Sequence, residues 1–417
     1  MESDGPRYRV RQVRHRGGQI SYWIFSSDGE LHHDSMRVLA SYGTASQQTY
    51  AFSLVDHLNW LHINGIQTKS VTFDDLRRYM NALTNEGAEI FVPWRRADQR
   101  PLGASSACNV ATVVKAFYMS LLKSGTVNED LVCKLNTPAS RTQLGTFVQR
   151  NPLAPKRASR RPRVVTDATV QALFEPGILR SARDVMIVTW LHDTGIRVGG
   201  LCGLRFTDLH LVADHPCGQH RYPHIHVVGR DDNPNGARAK IPGALSRVQL
   251  NSEGYVIDGV IRAVSDDMIS TFHAYLLDEY KTVQHFIDHQ QVLVHTDGRT
   301  PGAALTTTAV RGMLRRAGER AELPTRVTPH AFRHKAASDF YAVTDFNAEE
   351  VAEEFGWSRP EMVTELYGKS ASSSVLVHLD QYWTATARPN AEHDLVPDRK
   401  GGLAQWQRLP AGIRHLQ

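Results

Sequence analysis

Alternating and helically spaced apolar residues divide the first third of the chain into a β-hairpin and a helical segment. Over residues 8–33, polar and apolar residues alternate around two glycine-containing turn signals, which predicts a hairpin or a small three-stranded sheet. Over 47–63 the apolar residues recur at spacings of four, four and three, which predicts an amphipathic helix. Further helices are predicted from Thr72 to Leu83, over 105–123 and from Asn128. We therefore expect an N-terminal β-hairpin extension over 1–45 and a compact helical domain over 46–136.

The remainder of the chain predicts a linker followed by a second domain. Residues 137–163 are rich in Pro, Arg and Ser and lack periodicity, which is typical of an interdomain linker. Helical spacing returns at 164, and a strand at 224–228, a turn at 232–236 and a returning strand at 238–241 predict a hairpin. From Asp266 the pattern is helical to about Tyr382. We expect a second domain over 164–385, an unassigned tail over 386–417, and a mainly α fold with a small β-sheet (α+β).

Composition excludes several classes of protein. The length of 417 residues favours more than one domain, and the apolar fraction of 41% is ordinary for a globular chain. No apolar run approaches the roughly 20 residues of a membrane span, and the polar start lacks a signal-peptide core, so we expect no membrane association and a cytoplasmic location. Cys202 and Cys217 with nearby His220 fit no common zinc spacing, so we expect idle thiols and no metal site.

Positive charge is concentrated in the predicted linker. The net charge of +5 is modest, but the segment 156–163 contains five cations and no acid. Such a run suits a polyphosphate surface because its binding releases condensed counterions, while a solvated linker explains it equally well at this point. The candidate DNA contacts in this run are Lys156, Arg157, Arg160, Arg161 and Arg163.

A histidine and an arginine stand three residues apart at a predicted helix start. Thr328 is a favoured N-cap and Pro329 suits the first helical position, so His330 and Arg333 share one face of the first turns. A helix N-terminus favours a phosphate, and a guanidinium donates two hydrogen bonds to phosphoryl oxygens. A surface His and Arg near a helix start is the common alternative for this short motif.

The positions of Arg197 and Tyr367 in the chain make both of them candidate site residues. Arg197 follows a Thr-Gly break after an apolar helix, and a cation at such a junction needs an anionic partner, either an internal carboxylate or a bound phosphate. Tyr367 lies near the end of a short helix that follows Gly356 and Trp357. Taken alone, Tyr367 and Trp357 would both be interpreted as packed aromatic residues.

The order of these motifs resembles the catalytic domain of the tyrosine recombinases, also called phage integrases. That family has an Arg in a T-G-x-R turn, a Lys on a β-hairpin, an H-x-x-R helix, a G-[HW] pair and a Tyr near the C-terminus. The resemblance covers about 46–385, since 46–136 is similar to the family's core-binding domain, and the turn at 233–236 is similar to that of mobile-element integrases. The matching residues here are Arg197, Lys240, His330, Arg333, Trp357 and Tyr367.

The chain departs from the family pattern at three places. Gly200 stands where an acid usually follows the first Arg by three residues. Trp357 replaces the commoner His, although an indole N–H can still donate to a phosphate oxygen, and Tyr367 follows it by ten residues, one more than usual. Many members have Lys where this chain has Arg230. Because a guanidinium with a pKa above ~12 is a poor proton donor, Lys240 is the preferred general acid and Arg230 a candidate DNA contact.

The resemblance implies a DNA strand-transfer reaction. Tyr367 would attack a phosphate of double-stranded DNA and form a 3′-phosphotyrosyl link with a free 5′-hydroxyl, with no metal or other cofactor. Arg197, His330 and Arg333 would stabilise the transition state, and Lys240 would protonate the leaving oxygen. His330 would also accept the proton of Tyr367, and Trp357 would position an oxygen or pack against the nucleophile. It further implies a homotetramer on two DNA sites, with no accessory protein indicated. A type IB topoisomerase and a catalytically silent DNA-binding protein are the alternatives.

Overall fold

The structure is a computed structural model that describes residues 7–16, 20–84, 101–122, 129–141, 147–155, 165–241, 248–357 and 359–367. The chain divides into two compact units, Met1–Arg160 and Arg161–Gln417, each with its own apolar core. Among the described helices, none has the length and apolar character that a bilayer span requires.

The first unit combines a two-stranded sheet with a group of helices. Strands β1 (Tyr8–Arg14) and β2 (Ile20–Ser26) are antiparallel with Arg11 opposite Trp23, which confirms the predicted pairing. The helices are α1 (His33–Leu39), α2 (Thr44–Ile63), α3 (Phe73–Thr84), α4 (Ala104–Leu122) and α5 (Glu129–Leu135), followed by the short strands β3 (Ser140–Arg141) and β4 (Phe147–Val148). Of these helices only α1 was not predicted.

The β1–β2 sheet packs on the helices of its own unit. Asn59 of α2 accepts a hydrogen bond from the Tyr8 N–H at 2.8 Å and donates to the Tyr8 carbonyl at 3.0 Å. Gln47 accepts from the Tyr22 N–H at 2.8 Å, so both strands are tied to α2. Ile24 is fully buried in the same apolar core as Phe117 of α4. The hairpin is therefore an integral part of the first unit.

The second unit surrounds a three-stranded antiparallel sheet with helices. The strands are β5 (Leu209–His210), β6 (His224–Val227) and β7 (Val260–Ala263), with β6 in the centre. Hydroxyl and amide side chains cap most helices at the residue before the helix begins, as Thr166 does for α6 and Asn347 for α13. The helices are α6 (Asp167–Phe174), α7 (Ala182–Thr194), α8 (Val198–Gly203), α9 (Asp266–Tyr275), α10 (Lys281–Val283), α11 (Thr307–Arg320), α12 (Pro329–Val343), α13 (Ala348–Phe355) and α14 (Glu361–Tyr367).

The predicted hairpin over 224–241 is wrong in its second strand. β6 pairs with β5 and β7, and residues 238–241 form no strand. The turn is present, but Asn235 donates from its amide to the carbonyls of Cys202 and Leu305, at 2.8 and 2.7 Å, and holds the loop on α8. Gly199 permits this approach, because a Cβ there would lie 2.3 Å from the Arg238 carbonyl oxygen. The loop therefore follows α8 instead of returning along β6.

The prediction of continuous helix from Asp266 is also wrong over 287–306. This stretch forms isolated bridges, with Gln291 opposite Arg205 and Ala304 opposite Val294. Val292, Leu293 and Val294 between them are buried in the core. A short apolar run of this length is compatible with a buried extended segment and with a helix. The spacing of apolar residues therefore could not distinguish these two structures. Helices α11 to α14 then follow within the predicted helical region.

Candidate active site

A left-handed residue at the end of α7 turns the chain so that Arg197 faces a cavity. Gly195 has a φ of +56° and caps α7, and a Cβ there would lie 2.7 Å from the Phe355 ring. Arg197 follows in extended conformation just before α8, and its guanidinium donates to the carbonyl of Lys240 at 3.0 Å. The Thr-Gly break thus places a half-buried arginine at the mouth of this cavity, as the sequence predicted for a helix junction.

Arg333 connects three segments of the second unit. It lies on the second turn of α12, whose N-cap Thr328 accepts from the Ala331 N–H at 3.2 Å. The Arg333 guanidinium is 3% exposed, donates to the Gly195 carbonyl at 3.0 Å, and also donates to the Phe355 carbonyl. Its carbon lies 5.3 Å from the ring centres of both Phe355 and Trp357. Arg333 is therefore fixed in position by backbone acceptors and aromatic faces.

Three arginines and no acid are among the described residues that line one cavity. Arg262 of β7 is the third, and it forms an ion pair with Glu354. Burial, followed by repulsion from Arg197 and Arg262, lowers the pKa of Arg333 to about 9, and burial and Arg262 also lower the pKa of Arg197. A bound anion would relieve this repulsion, so the cavity is suited to a phosphate. Its lining residues are Ile196, Arg197, Gly200, Val227, Ala239, Lys240, Ile241, Val260, Arg262, Arg333, Phe355 and Gly356.

Tyr367 ends α14 with its hydroxyl inside the protein. The side chain is 2% exposed, and its oxygen lies 2.5 Å from Nδ1 of His334. Nε2 of His334 lies 3.0 Å from Nε2 of His330, so a chain of hydrogen bonds runs from the phenol through two imidazoles. If the phenol donates to His334, then His334 donates to His330, and both rings are neutral. Tyr367 is therefore hydrogen-bonded and sheltered from solvent.

The environment keeps both Tyr367 and His334 uncharged at neutral pH. Burial raises the pKa of Tyr367 and Arg333 only partly opposes this effect. Burial, then His330 and Arg333, lower the pKa of His334 to about 4. A neutral phenol is a weak nucleophile, so the hydroxyl needs a base at the moment of attack. His334 is the base in contact with it here.

Trp357 lies between the buried phenol and the arginines. Its ring stacks on Phe355 with centres 5.6 Å apart and lies 5.9 Å from the ring of Tyr367. Gly356, with a φ of +58°, ends α13 and starts the segment that carries Trp357. The indole thus provides a packing surface for the guanidinium of Arg333 and for Tyr367.

Not all predicted residues meet at the cavity. Arg230 is 8% exposed and forms two hydrogen bonds, at 2.7 and 2.6 Å, with the fully buried carboxylate of Asp208, so its donors are used inside the protein. Lys240 lines the cavity and is exposed. The linker residues Lys156, Arg157, Arg160, Arg161 and Arg163 lie outside the described residues.

The structure also gives a steric account of the glycine at 200. A Cβ on Gly200 would lie 2.9 Å from a methyl group of Val227, so an acid would not fit without a shift of the neighbouring strand. Support for Arg197 comes instead from the carbonyl of Lys240. The two site residues that sequence reasoning missed are Arg262 and His334. His334 follows His330 by four residues, which on a helix places both on one face and was the available signal.

Comparisons with known proteins find sequence relatives among the tyrosine recombinases. The sequence profile described as the phage integrase family matches residues 261–373. Tyrosine recombinase XerC of Listeria monocytogenes serotype 4b (strain F2365) is 23% identical over 303 residues, which cover 72% of this chain and 79% of XerC. XerC of Bacillus licheniformis is 25% identical over 169 residues, covering 40% of this chain and 45% of the relative.

Two solved structures share the fold. The Tn1549 transposon integrase in complex with transposon right end DNA has a TM-score of 0.53 at 15% identity, covering 84% of this chain and 98% of that chain. The XerH site-specific recombinase bound to a palindromic difH substrate has a TM-score of 0.52 at 12% identity, covering 82% of this chain and 81% of that chain. At these identities the likeness concerns the architecture.

Proposed function

We propose that this chain, a site-specific tyrosine recombinase of the phage integrase family, cleaves DNA with Tyr367 and holds the scissile phosphate between Arg197 and Arg333. The observation that carries this proposal is the group of arginines around one cavity, with Arg333 fixed beside the ring of Trp357. Guanidiniums held in place before the reaction stabilise a developing phosphorane without reorganisation. A topoisomerase or a silent DNA-binding protein is not favoured by the relatives.

Each residue of the site has a proposed task in strand transfer. The Tyr367 oxygen attacks phosphorus, the bond from phosphorus to the 5′-oxygen breaks, and the tyrosine becomes linked to the 3′-phosphate. The phenol proton goes to the imidazole pair of His330 and His334, whose Nε2 atoms lie 3.0 Å apart, and His334 holds the hydroxyl at 2.5 Å before the tyrosine moves. Lys240 protonates the leaving 5′-oxygen, because it is exposed at the cavity and an ammonium transfers a proton more readily than a guanidinium. Attack by another strand's 5′-hydroxyl reverses these steps.

Tyr367 must leave its buried position before it can attack. Its hydroxyl is bonded to His334 and its ring is 2% exposed, so the end of α14 has to move towards the cavity. We propose that assembly on DNA drives this movement, with the chain acting as a homotetramer on two double-stranded sites in the cytoplasm. In the same proposal the helical domain and the basic linker contact the DNA backbone.

A nicked suicide substrate tests the nucleophile. Loss of a short 5′-hydroxyl fragment from such a duplex should leave the full chain covalently attached to a 3′-phosphate. Proteolysis and mass spectrometry of the adduct should identify the phosphotyrosine at Tyr367. An adduct on another residue, or attachment to a 5′-phosphate, would contradict the proposal.

Neutralising the linker tests its role in DNA binding. Replacing Arg160, Arg161 and Arg163 by glutamine should flatten the plot of log affinity against log salt by roughly 0.9 for each lost phosphate contact. The exposed Arg37, which pairs with Asp34 on α1, offers a matched control, since Arg37→Gln removes one cation elsewhere. An unchanged slope in the triple variant would mean that the linker is solvated and makes no phosphate contacts.

A further inference from the structure

Four metal-ligand side chains meet inside the second unit, away from the arginine cavity. They are His210, Cys217, His224 and His226, which are 1%, 5%, 1% and 0% exposed. One donor atom from each lies within 4.8 Å of the others. Nε2 of His224 lies 3.2 Å from Nδ1 of His210 and 3.2 Å from Sγ of Cys217. Three imidazoles and a thiol at this spacing are a ligand set that zinc prefers.

The sheet explains how these side chains come together. His210 of β5 pairs directly with His224 of β6, and His226 lies two residues further along β6 on the same face. Cys217 belongs to the segment that connects the two strands. Ile225 and Val227 alternate to the opposite face, where Val227 lines the arginine cavity. The cluster and the candidate active site thus lie on opposite faces of β6.

Backbone carbonyls orient two of the histidines towards the cluster. Nδ1 of His224 donates to the Tyr222 carbonyl at 2.7 Å, and Nδ1 of His226 donates to the Asp258 carbonyl at 2.8 Å. Because these nitrogens carry the protons, Nε2 of each neutral ring presents a lone pair. Histidines that bind metals commonly donate their second ring N–H to a carbonyl in this way. The tautomers required of a ligand are therefore already selected.

Without a bound ion, the buried polar atoms of the cluster lack a full set of hydrogen bonds. The buried Nε2 atom of His226 has no hydrogen-bond partner among the described residues. Nδ1 of His210 and Sγ of Cys217 both approach the single lone pair on Nε2 of His224, so only one of them can donate a good hydrogen bond to it. A buried polar atom left without a partner destabilises the folded state. A cation at the centre would engage all four donors at once.

We propose that His210, Cys217, His224 and His226 bind one Zn²⁺ ion in a closed, four-ligand structural site. Ordinary zinc bond lengths give donor separations of roughly 3.3–3.6 Å in a tetrahedron. The two measured separations of 3.2 Å are near this range, and the cluster as a whole needs only a small contraction from 4.8 Å.

The ion would stabilise the sheet that carries part of the candidate active site. It would join β5, the connecting segment and β6, and β6 in turn pairs with β7, which holds Arg262 at the cavity. No step of strand transfer involves this ion, because all four ligand positions belong to the protein. This inference replaces the expectation of no metal, which considered Cys217 with Cys202 and His220. Cys202 instead packs in the apolar core.

Metal analysis of the full-length chain tests the site directly. Protein purified without a histidine tag and dialysed should contain one zinc per chain by plasma mass spectrometry. Cys217→Ser and His226→Ala should each reduce this content several-fold. Cys133→Ser, at an exposed thiol in the first unit, and His220→Ala, beside the cluster but outside it, should keep one zinc per chain.

Cobalt substitution gives a second measurement that does not depend on the folding of the variants. Replacing zinc by Co²⁺ in the wild-type chain should produce a thiolate charge-transfer absorption and the visible bands of tetrahedral cobalt. Cys217→Ser should lose the charge-transfer absorption, and chelation should lower the wild-type unfolding temperature. The proposal is overturned if the wild-type chain contains no stoichiometric zinc and Co²⁺ gives no thiolate absorption.

Discussion

Replacing Tyr367 by phenylalanine should abolish the covalent protein–DNA complex on a suicide substrate while DNA binding stays nearly unchanged. The ring of Tyr367 fills a buried position at the end of α14, and phenylalanine keeps that volume. The change removes only the hydroxyl, which is the attacking atom and the partner of His334. Loss of that hydrogen bond should reduce the free energy of unfolding by about 0.5–1.5 kcal/mol. Denaturing gel electrophoresis after incubation with the labelled substrate measures the adduct.

Tyr341→Phe is the matched control for this experiment. Tyr341 is 6% exposed and belongs to the same small apolar cluster as Tyr367. Its variant should form the adduct at close to the wild-type rate, since its hydroxyl has no part in the proposed chemistry. If Tyr367→Phe still formed a covalent complex, another residue would have to be the nucleophile.

Arg333→Lys should slow DNA cleavage by about two to three orders of magnitude, the usual cost of removing one preorganised donor to a transition-state oxygen. The guanidinium donates to the carbonyls of Gly195 and Phe355 while it faces the cavity. A lysine ammonium cannot reproduce that planar arrangement or the contacts of the guanidinium with the rings of Phe355 and Trp357. Single-turnover cleavage of the suicide substrate at saturating protein isolates this effect from DNA affinity.

The control for this variant is an arginine that lies near the start of the same helix. Arg326 is exposed and precedes α12, so Arg326→Lys keeps the charge and should leave the cleavage rate unchanged. Circular dichroism and thermal unfolding should show that Arg333→Lys remains folded. A cleavage rate for folded Arg333→Lys within about threefold of wild type, well under the usual effect of such a donor, would remove Arg333 from the proposed machinery.

Helical elements of this chain were predictable because their signals are local. α13 has an asparagine cap, an amphipathic repeat and a glycine end, and the structure places it at Ala348–Phe355. The partners of β6 were not predictable, because strand pairing joins residues distant in sequence. The sequence predicted that the nearby segment 238–241 would be the partner strand of β6. The structure instead pairs β6 with β7, more than thirty residues away. Only the contacts of Asn235 with α8 explain why the nearer pairing does not form.

The candidate site was only partly predictable, because some of its residues have local sequence signals and others are brought together by tertiary contacts. Arg197 and Arg333 each lie at a helix end with local signals, and the structure places both at one cavity. Arg262 has no local signal, since a single arginine in a short strand is common. Arg230 looked like an equivalent cation, but its pairing with the buried Asp208 depends on a tertiary contact that the sequence does not reveal. The zinc ligands escaped detection because β5 and β6 bring them together across a long connection.

If Tyr367 is the nucleophile as proposed, burial of its hydroxyl would keep the chain unreactive until α14 moves. A recombinase meets vast lengths of irrelevant DNA, and every premature attack would leave a broken strand attached to protein. With the phenol held against His334, such encounters would leave the DNA intact, and attack would require a chain in which α14 has moved. If roughly one chain in a hundred were open, turnover would be about a hundredfold slower than the chemistry alone permits. Under this proposal, any partner that moves α14 would control when strand cleavage occurs.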